Sequence, residues 1–129
     1  MIMIRKLKSD IFYIGYVPER NPGKIYNLAR LFVYPLLFEG FGLPPLEAMA
    51  CACPGIASDI SSLPEVCGDA AFYADPQDVN SISGAILQVL LDENLRNSLI
   101  QKGFDRASTF SWEKSALGHL KVFVEVFSS

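Results

Sequence analysis

The segment between residues 38 and 50 combines residue types that could bind a polar ligand. It reads Phe-Glu-Gly-Phe-Gly-Leu-Pro-Pro-Leu-Glu-Ala-Met-Ala, and seven residues separate its two carboxylates, Glu39 and Glu47. Between them, Gly40 and Gly42 permit backbone conformations that other residues avoid and allow a ligand to approach closely. Ionised carboxylates only accept hydrogen bonds, which suits the hydroxyls of a sugar or a ribose. The segment therefore predicts a site for a ligand that carries hydroxyls.

A helix is predicted over residues 44–53, directly after the glycines. Because proline disfavours helical geometry in the residue before it, we expect this helix to begin at Pro45. Glu47 then falls in the first turn, and the free amides of Leu46, Glu47 and Ala48 lie next to the glycine loop. Such a helix start is a natural site for an anion such as a phosphate. Two alternatives stay open: Glu47 could match the helix dipole, and Glu39 could be a solvated loop residue.

Strands and helices alternate around this segment. Apolar runs rich in β-forming residues predict strands over residues 11–17, 32–35, 55–58 and 71–74. Helical spacing predicts a helix over residues 24–31, and a helical turn is expected at residues 63–66. Apolar strands that alternate with helices predict an α/β domain with a short parallel sheet covered on both faces. The segment with the two glutamates then leaves the carboxyl edge of that sheet, where such folds bind ligands.

The last third of the chain is predicted to be helical. Asp75 is expected to cap a helix, with Pro76 in its first turn and Asp78 matching its dipole. A second helix is predicted over residues 94–109, and a third begins after Ser111 as cap. The predicted inward-facing residues of the three helices are Val79, Ile82, Ile86, Val89 and Leu90; Leu95, Leu99 and Phe104; and Ala116, Leu117, Leu120, Val124 and Phe127.

Composition limits the class of protein. A chain of 129 residues suits one domain, and its net charge of -3 without a strongly basic segment does not favour nucleic acid as a partner. No apolar run approaches the ~20 residues of a membrane span. The first ten residues place apolar side chains before charged ones, the reverse of a signal peptide, so a cytoplasmic location is expected. The basic cluster of Arg5, Lys6 and Lys8 is interpreted as a solvated helix end, with a membrane or phosphate patch as the alternative.

The three cysteines do not predict a covalent framework or a metal site. Cys51, Cys53 and Cys67 are odd in number and lie among small or apolar residues. The pair Cys51 and Cys53 lacks a second pair of ligands, and His119 is far away in sequence. Buried small side chains are the better interpretation of the cysteines.

With these residues in view, the chain resembles the retaining glycosyltransferases of family four, which have the GT-B fold. That family carries two glutamates with seven residues between them, around Gly-Phe-Gly-Leu-Pro and followed by Ala-Met-Ala, as residues 39–50 do here. Further matching segments occur in the family's order at residues 12–17, 61–66, 68–71, 75–76 and 110–113. The resemblance therefore covers nearly the whole chain and implies the later part of the C-terminal, donor-binding domain, a partial Rossmann-like fold.

The resemblance also implies a function for each residue of the motif. The donor would be a nucleotide-diphosphate sugar, transferred with retention at the anomeric carbon and without a bound metal or other cofactor. Glu39 would be the catalytic residue that contacts donor-sugar hydroxyls, and Glu47 would bind the ribose. The backbone of Gly40, Phe41, Gly42 and Leu43 would approach the sugar and the diphosphate.

Some features of the family are absent or altered. Glycine is usual at the position of Ala52, where a positive φ would strain alanine, and valine is usual at Gly55.

The first GT-B domain and the Arg and Lys that neutralise the donor diphosphate have no counterpart in residues 1–129. We therefore expect a single truncated domain with little or no transferase activity alone, whose partners include the missing N-terminal domain. The alternative is a non-catalytic remnant or protein-interaction module.

A further expectation concerns self-association. In the family's sheet, the strand predicted at residues 11–17 is internal. Here it would be an exposed apolar edge, and such edges tend to pair with another chain. Dimers or aggregates are therefore expected.

Overall fold

The computed structural model describes residues 10–18 and 22–128. The predicted basic cluster of Arg5, Lys6 and Lys8 lies outside these residues. The elements in chain order are α1 (Pro22–Leu28), β1 (Phe32–Tyr34), α2 (Leu43–Ala50), β2 (Gly55–Ser58), α3 (Leu63–Cys67), a 3-10 turn (Gly68–Ala70), β3 (Ala71–Ala74), α4 (Val79–Leu91), α5 (Glu93–Ser108) and α6 (Trp112–Phe127).

The three strands form one parallel sheet in the order β1-β2-β3. Gly55 of β2 lies opposite Phe32 of β1 on one side and opposite Ala71 of β3 on the other. The central strand β2 is buried at every position, as expected for a strand with helices on both faces. The predicted parallel α/β sheet flanked by helices is therefore confirmed.

The core lies on both faces of β2, because successive side chains of a strand point to opposite sides. On one face, Ala57 packs in a cluster with α2, α3 and the turn before β3; its buried members are Leu46, Met49, Ala57, Leu63, Val66, Cys67, Ala70 and Ala71. On the other face, Ile56 packs with β3, α4 and α5; the buried members there are Ile56, Ala74, Ala85, Val89 and Leu99. The two clusters hold the sheet rigidly beneath the loops at its carboxyl edge.

The strand predicted at residues 11–17 is wrong. This segment has no regular secondary structure, and five of its apolar side chains, from Ile11 to Tyr16, are exposed. A β-rich sequence needs a neighbouring strand to complete its hydrogen bonds, and none of the described residues pairs with it. The exposed strand edge expected from it is therefore not formed, while self-association of the chain stays a prediction.

The helix starts also differ from the predicted ones. Asp78, not Asp75, caps α4 by accepting a hydrogen bond from the Asn80 amide at 2.8 Å. Asp75 instead accepts from the Gln77 amide in the preceding turn. Ser111 caps α6 as predicted, accepting from the Lys114 amide. The later start of α4 leaves Val79 at its first position, where its side chain is 78% exposed rather than buried.

Two further predicted inward faces are corrected. Phe104 of α5 is 44% exposed, because the buried positions of that helix are Leu99 and Gly103. No residue of α6 is buried, so Ala116, Leu117, Leu120, Val124 and Phe127 are all exposed. The amphipathic pattern of α6 correctly predicted a helix, but no element among the described residues covers its apolar face.

The chain reverses after α2 through a turn that contains a strained alanine. Ala52 has φ 58, and the turn is closed by the Cys53 amide, which donates to the Ala48 carbonyl at 2.9 Å. This left-handed conformation crowds the Cβ of any residue except glycine and costs about 1 kcal/mol. The positive φ suspected at Ala52 from the sequence is confirmed.

Replacing this alanine should stabilise the domain. We expect Ala52→Gly to raise the free energy of unfolding by about 0.5–1 kcal/mol, because glycine relieves the left-handed strain but gives up some entropy. Urea unfolding followed by circular dichroism measures the difference. Ala50→Gly, in the helical part of the same connection, is the control and should be destabilising. A loss of stability in both variants would contradict the strain at Ala52.

Candidate functional site

The side chain of Glu39 is fixed at the carboxyl edge of the sheet. Its Oε2 accepts a hydrogen bond of 2.6 Å from the hydroxyl of Tyr34, the last residue of β1. Its Oε1 accepts from the backbone amides of Gly40 at 2.9 Å and Phe41 at 3.4 Å. The glycine loop is therefore folded around its own carboxylate, and the strand fixes the direction of that carboxylate.

The loop after β2 holds the glycine loop from a second side. The Ser61 hydroxyl lies 2.7 Å from the Glu39 carbonyl oxygen, and the Ser62 hydroxyl lies 3.0 Å from the carbonyl oxygens of both Glu39 and Phe41. Ser58, which is fully buried at the end of β2, donates to the Leu36 carbonyl at 2.6 Å. Side-chain hydroxyls thus join the carboxyl ends of two neighbouring strands.

The helix after the glycine loop begins earlier than the sequence predicted. Helix α2 starts at Leu43 after Gly42, which has φ 110, so the predicted start at Pro45 is wrong. Its unpaired first-turn groups are not the amides of Leu46, Glu47 and Ala48. They belong to residues 42–45, and since Pro44 and Pro45 have no N–H, only Gly42 and Leu43 can donate.

Glu47 therefore lies in the second turn of α2, not in the first. The helix-dipole explanation of this carboxylate is weakened, since the first turn of α2 contains no acidic residue. Its exposed side chain instead accepts a hydrogen bond of 3.3 Å from the Tyr26 hydroxyl of α1. Sequence reasoning missed this contact because Tyr26 is 21 residues away in the chain.

A row of three aromatic rings connects the two glutamates. The ring of Phe32 lies 5.5 Å from that of Tyr26, edge to face, and 5.5 Å from that of Tyr34, stacked. The hydroxyl of Tyr26 donates a hydrogen bond to Glu47, and the hydroxyl of Tyr34 donates one to Glu39. The structure thus brings both predicted carboxylates to one aromatic row, formed by one ring of α1 and two rings of β1.

The pKa values at this site keep Tyr26 and Tyr34 as hydrogen-bond donors and Glu39 as a hydrogen-bond acceptor. The hydrogen bond from Tyr34, followed by those from the loop amides, lowers the pKa of Glu39 below its ordinary value, so the carboxyl is ionised at neutral pH. Burial, and then the bond to Glu39, raises the pKa of Tyr34. Burial and the charge of Glu47 raise the pKa of Tyr26 to about 12. Both tyrosines therefore keep their protons at neutral pH and stay donors.

Three of the four remaining predicted binding residues are accessible at this site. Gly40 is exposed, and the side chains of Phe41 and Leu43 are each 45% exposed, whereas Gly42 is buried. Tyr26, Tyr34, Ser61 and Ser62 were missed, although the serines follow the third predicted strand and could have been found from that position. Among the described residues, no three His, Cys, Asp or Glu side chains cluster as metal ligands would. The helices described are too short or too polar to cross a membrane.

A sequence profile described as glycosyl transferases group 1 matches residues 1–106. The chain belongs to this family. It is 52% identical over 103 residues to the O-antigen chain mannosyltransferase B of Escherichia coli, which covers 80% of this chain and 27% of that protein. It is 38% identical over 124 residues to the serotype-specific mannosyltransferase WbdA of Escherichia coli, covering 95% of this chain and 15% of that protein. The chain thus spans only a small part of each relative's length.

Solved structures agree with this family and with the GT-B fold. The sucrose-phosphate synthase of Thermosynechococcus elongatus superposes with a TM-score of 0.85 and 28% identity, covering 98% of this chain and 33% of that one. The C-terminal domain of a group 1 glycosyl transferase from Francisella tularensis gives a TM-score of 0.70 and 29% identity, covering 84% of this chain and 60% of that one. The architecture of this chain is therefore that of a GT-B C-terminal domain, as the resemblance implied.

Proposed function

We propose that the glycine loop and the start of α2 bind the nucleotide-diphosphate sugar donor of a retaining glycosyl transfer. Glu39 accepts hydrogen bonds from the sugar hydroxyls, Glu47 accepts them from the ribose, and residues 40–43 approach the diphosphate. The observation that carries the proposal is the Glu39 carboxylate, held at 2.6 Å by Tyr34 and followed by a helix start at which the Gly42 and Leu43 amides have no acceptor within the helix. Hydroxyls and an anion within one ligand match these groups.

The sugar we propose is mannose. The support is the 52% identity over 103 residues to an O-antigen chain mannosyltransferase, together with the 38% identity to a second mannosyltransferase. The proposed binding uses only protein groups, so removal of divalent metal with EDTA should leave the affinity unchanged.

Titration of the labelled chain with nucleotides tests the proposed site. We expect amide resonances of residues 40–47 to shift with one of GDP, UDP and ADP, and to shift further with the corresponding mannose conjugate. Glu47→Gln should weaken nucleotide binding about tenfold or more, because a charged hydrogen bond contributes ~1.5–3 kcal/mol. Glu113→Gln on exposed α6 is the matched control and should change nothing. A well-dispersed spectrum that is indifferent to all three nucleotides would overturn the proposal.

We also propose that residues 1–129 alone do not transfer sugar. The leaving diphosphate needs cationic groups that stabilise its developing charge, and no Lys or Arg of this chain stands in a matching family motif. Purified chain incubated with donor and a mannose-terminated acceptor should give no product. Turnover that scales with the concentration of the chain would refute this expectation.

A further inference from the structure

We propose that Tyr34 is a positioning residue that holds the Glu39 carboxylate in the orientation required by the donor sugar. The inference rests on the proposed function, because the orientation of this carboxylate matters only if a sugar binds beside it. It concerns a residue outside the motif of residues 39–50.

The hydroxyl of Tyr34 makes the shortest of the contacts to the Glu39 side chain. It donates to Oε2 at 2.6 Å, whereas the amides of Gly40 and Phe41 donate to Oε1 at 2.9 and 3.4 Å. Two differently placed sets of donors, one on each oxygen, define the plane of a carboxylate that is otherwise free to rotate. A donor on a single oxygen would leave that rotation open.

Tyr34 is itself fixed more firmly than the loop that it contacts. It ends β1, pairs in register with Ala57 of the buried central strand, and its ring packs against the core cluster around Leu63. Its ring also stacks on Phe32 at a centroid distance of 5.5 Å. The Tyr34 hydroxyl therefore fixes the position of the Glu39 carboxylate, which lies in a loop, relative to the sheet. A side chain on a rigid element can hold a loop group in this way.

The acceptor capacity of Glu39 is not exhausted by these bonds. Each carboxylate oxygen has two lone pairs, and among residues 10–18 and 22–128 the Tyr34 hydroxyl is the one donor to Oε2. The titratable groups that influence Tyr34 are Glu39, Tyr26 and Glu47, and the last two are joined to each other. A sugar hydroxyl can therefore approach Oε2 while Tyr34 remains bonded.

The first test replaces only the hydroxyl. Tyr34→Phe keeps the ring and its stacking, and the carboxyl carbon of labelled Glu39 is then titrated by NMR in the 129-residue chain. We expect the pKa of Glu39 to rise, because its main stabilising hydrogen bond is lost. Tyr26→Phe removes an equivalent hydroxyl from the same aromatic row and should leave Glu39 unchanged. An unmoved Glu39 in Tyr34→Phe, or an equal shift in both variants, would overturn the inference.

Two further measurements separate this inference from the proposed donor site. Tyr34→Phe should weaken binding of the mannose conjugate about fivefold and leave the affinity for the nucleoside diphosphate unchanged. The ratio of the two affinities, conjugate over nucleoside diphosphate, therefore falls about fivefold. An unchanged ratio would count against positioning. If no nucleotide binds at all, the proposed function fails, whereas the Glu39 titration still decides whether the Tyr34 hydroxyl holds the Glu39 carboxylate. If Tyr34→Phe does not fold, Glu39→Gln is used instead, and the pKa of labelled Tyr34 should fall; an unmoved Tyr34 refutes the contact.

Discussion

Gly42→Ala should unfold a large fraction of the molecules or abolish binding at the proposed donor site in those that stay folded. Gly42 has φ 110, a conformation that side chains rarely adopt, and an added Cβ would lie 2.8 Å from Cδ2 of Leu63. Leu63 has no exposed surface and cannot move aside without disturbing the core around it. Backbone strain of ~1–3 kcal/mol and overpacking of ~1–3 kcal/mol together predict a loss of about 4 kcal/mol. This is a large share of the ~5–15 kcal/mol that stabilises a typical domain.

Gly40→Ala is the matched control for this experiment. Gly40 lies two residues earlier in the same loop, and a Cβ there would meet nothing within 4 Å. Its free energy of unfolding should stay within about 0.5 kcal/mol of the parent. Urea unfolding of the three proteins measures both effects. Equal stability of Gly42→Ala and Gly40→Ala would show that the loop relaxes freely and that the geometry of Gly42 is not required.

Arg106→Met should cost the domain about 2 kcal/mol. Its guanidinium donates from Nε to the Val66 carbonyl at 2.8 Å and from Nη2 to the Glu65 carbonyl at 2.6 Å. These carbonyls belong to the last turn of α3, whose acceptors have no partner within the helix. The same guanidinium lies 5.1 Å from the centre of the Phe110 ring. Methionine keeps the apolar stem but leaves the partly buried Val66 carbonyl and the exposed Glu65 carbonyl without a charged donor.

The expected change is a fall of about 7 °C in the midpoint of thermal unfolding, measured by circular dichroism. Lys102→Met, on the same face of α5, is the control. Lys102 pairs with Asp69 at 3.0 Å, but the two side chains are 46% and 80% exposed. An exposed pair contributes ~0–1 kcal/mol, so the midpoint should move little. A larger loss in Lys102→Met than in Arg106→Met would mean that surface charge, not the α3 terminus, matters here.

Much of the fold could be predicted because local and tertiary signals agree. Residues 55–58 and 71–74 are short apolar runs, and both form strands whose faces are filled by helices. The position of Glu39 at the carboxyl edge follows from the strand before it. By contrast, the apolar run at residues 11–17 has the composition of a strand, but no strand among the described residues lies beside it. Composition alone does not reveal whether a neighbouring strand is present.

The finer errors have a common physical origin. The start of α2 depends on Gly42, which takes a left-handed conformation. The predicted start rested on the backbone preference of the residue before proline, and that preference does not reveal the conformation of Gly42. The hydroxyls of Tyr26 and Tyr34 reach the glutamates through the packing of Phe32 between them, a tertiary contact without periodic signal. Phe104 fits a helical face by spacing, yet Gly103 beside it takes the place nearest Met49.

The two prolines at the start of α2 also act on the chain before it folds. A loop with Gly40 and Gly42 is very mobile in the unfolded ensemble, and ordering it has an unusually high entropic cost. Pro44 and Pro45 restrict that same stretch to few backbone states and stand at helix positions that tolerate proline. The glycines permit the geometry of the site, and the prolines reduce the disorder that must be lost to reach it. The prolines therefore offset part of the entropic cost of the glycines. Replacing Pro44 with alanine would act mainly on the unfolded ensemble and not on the folded structure.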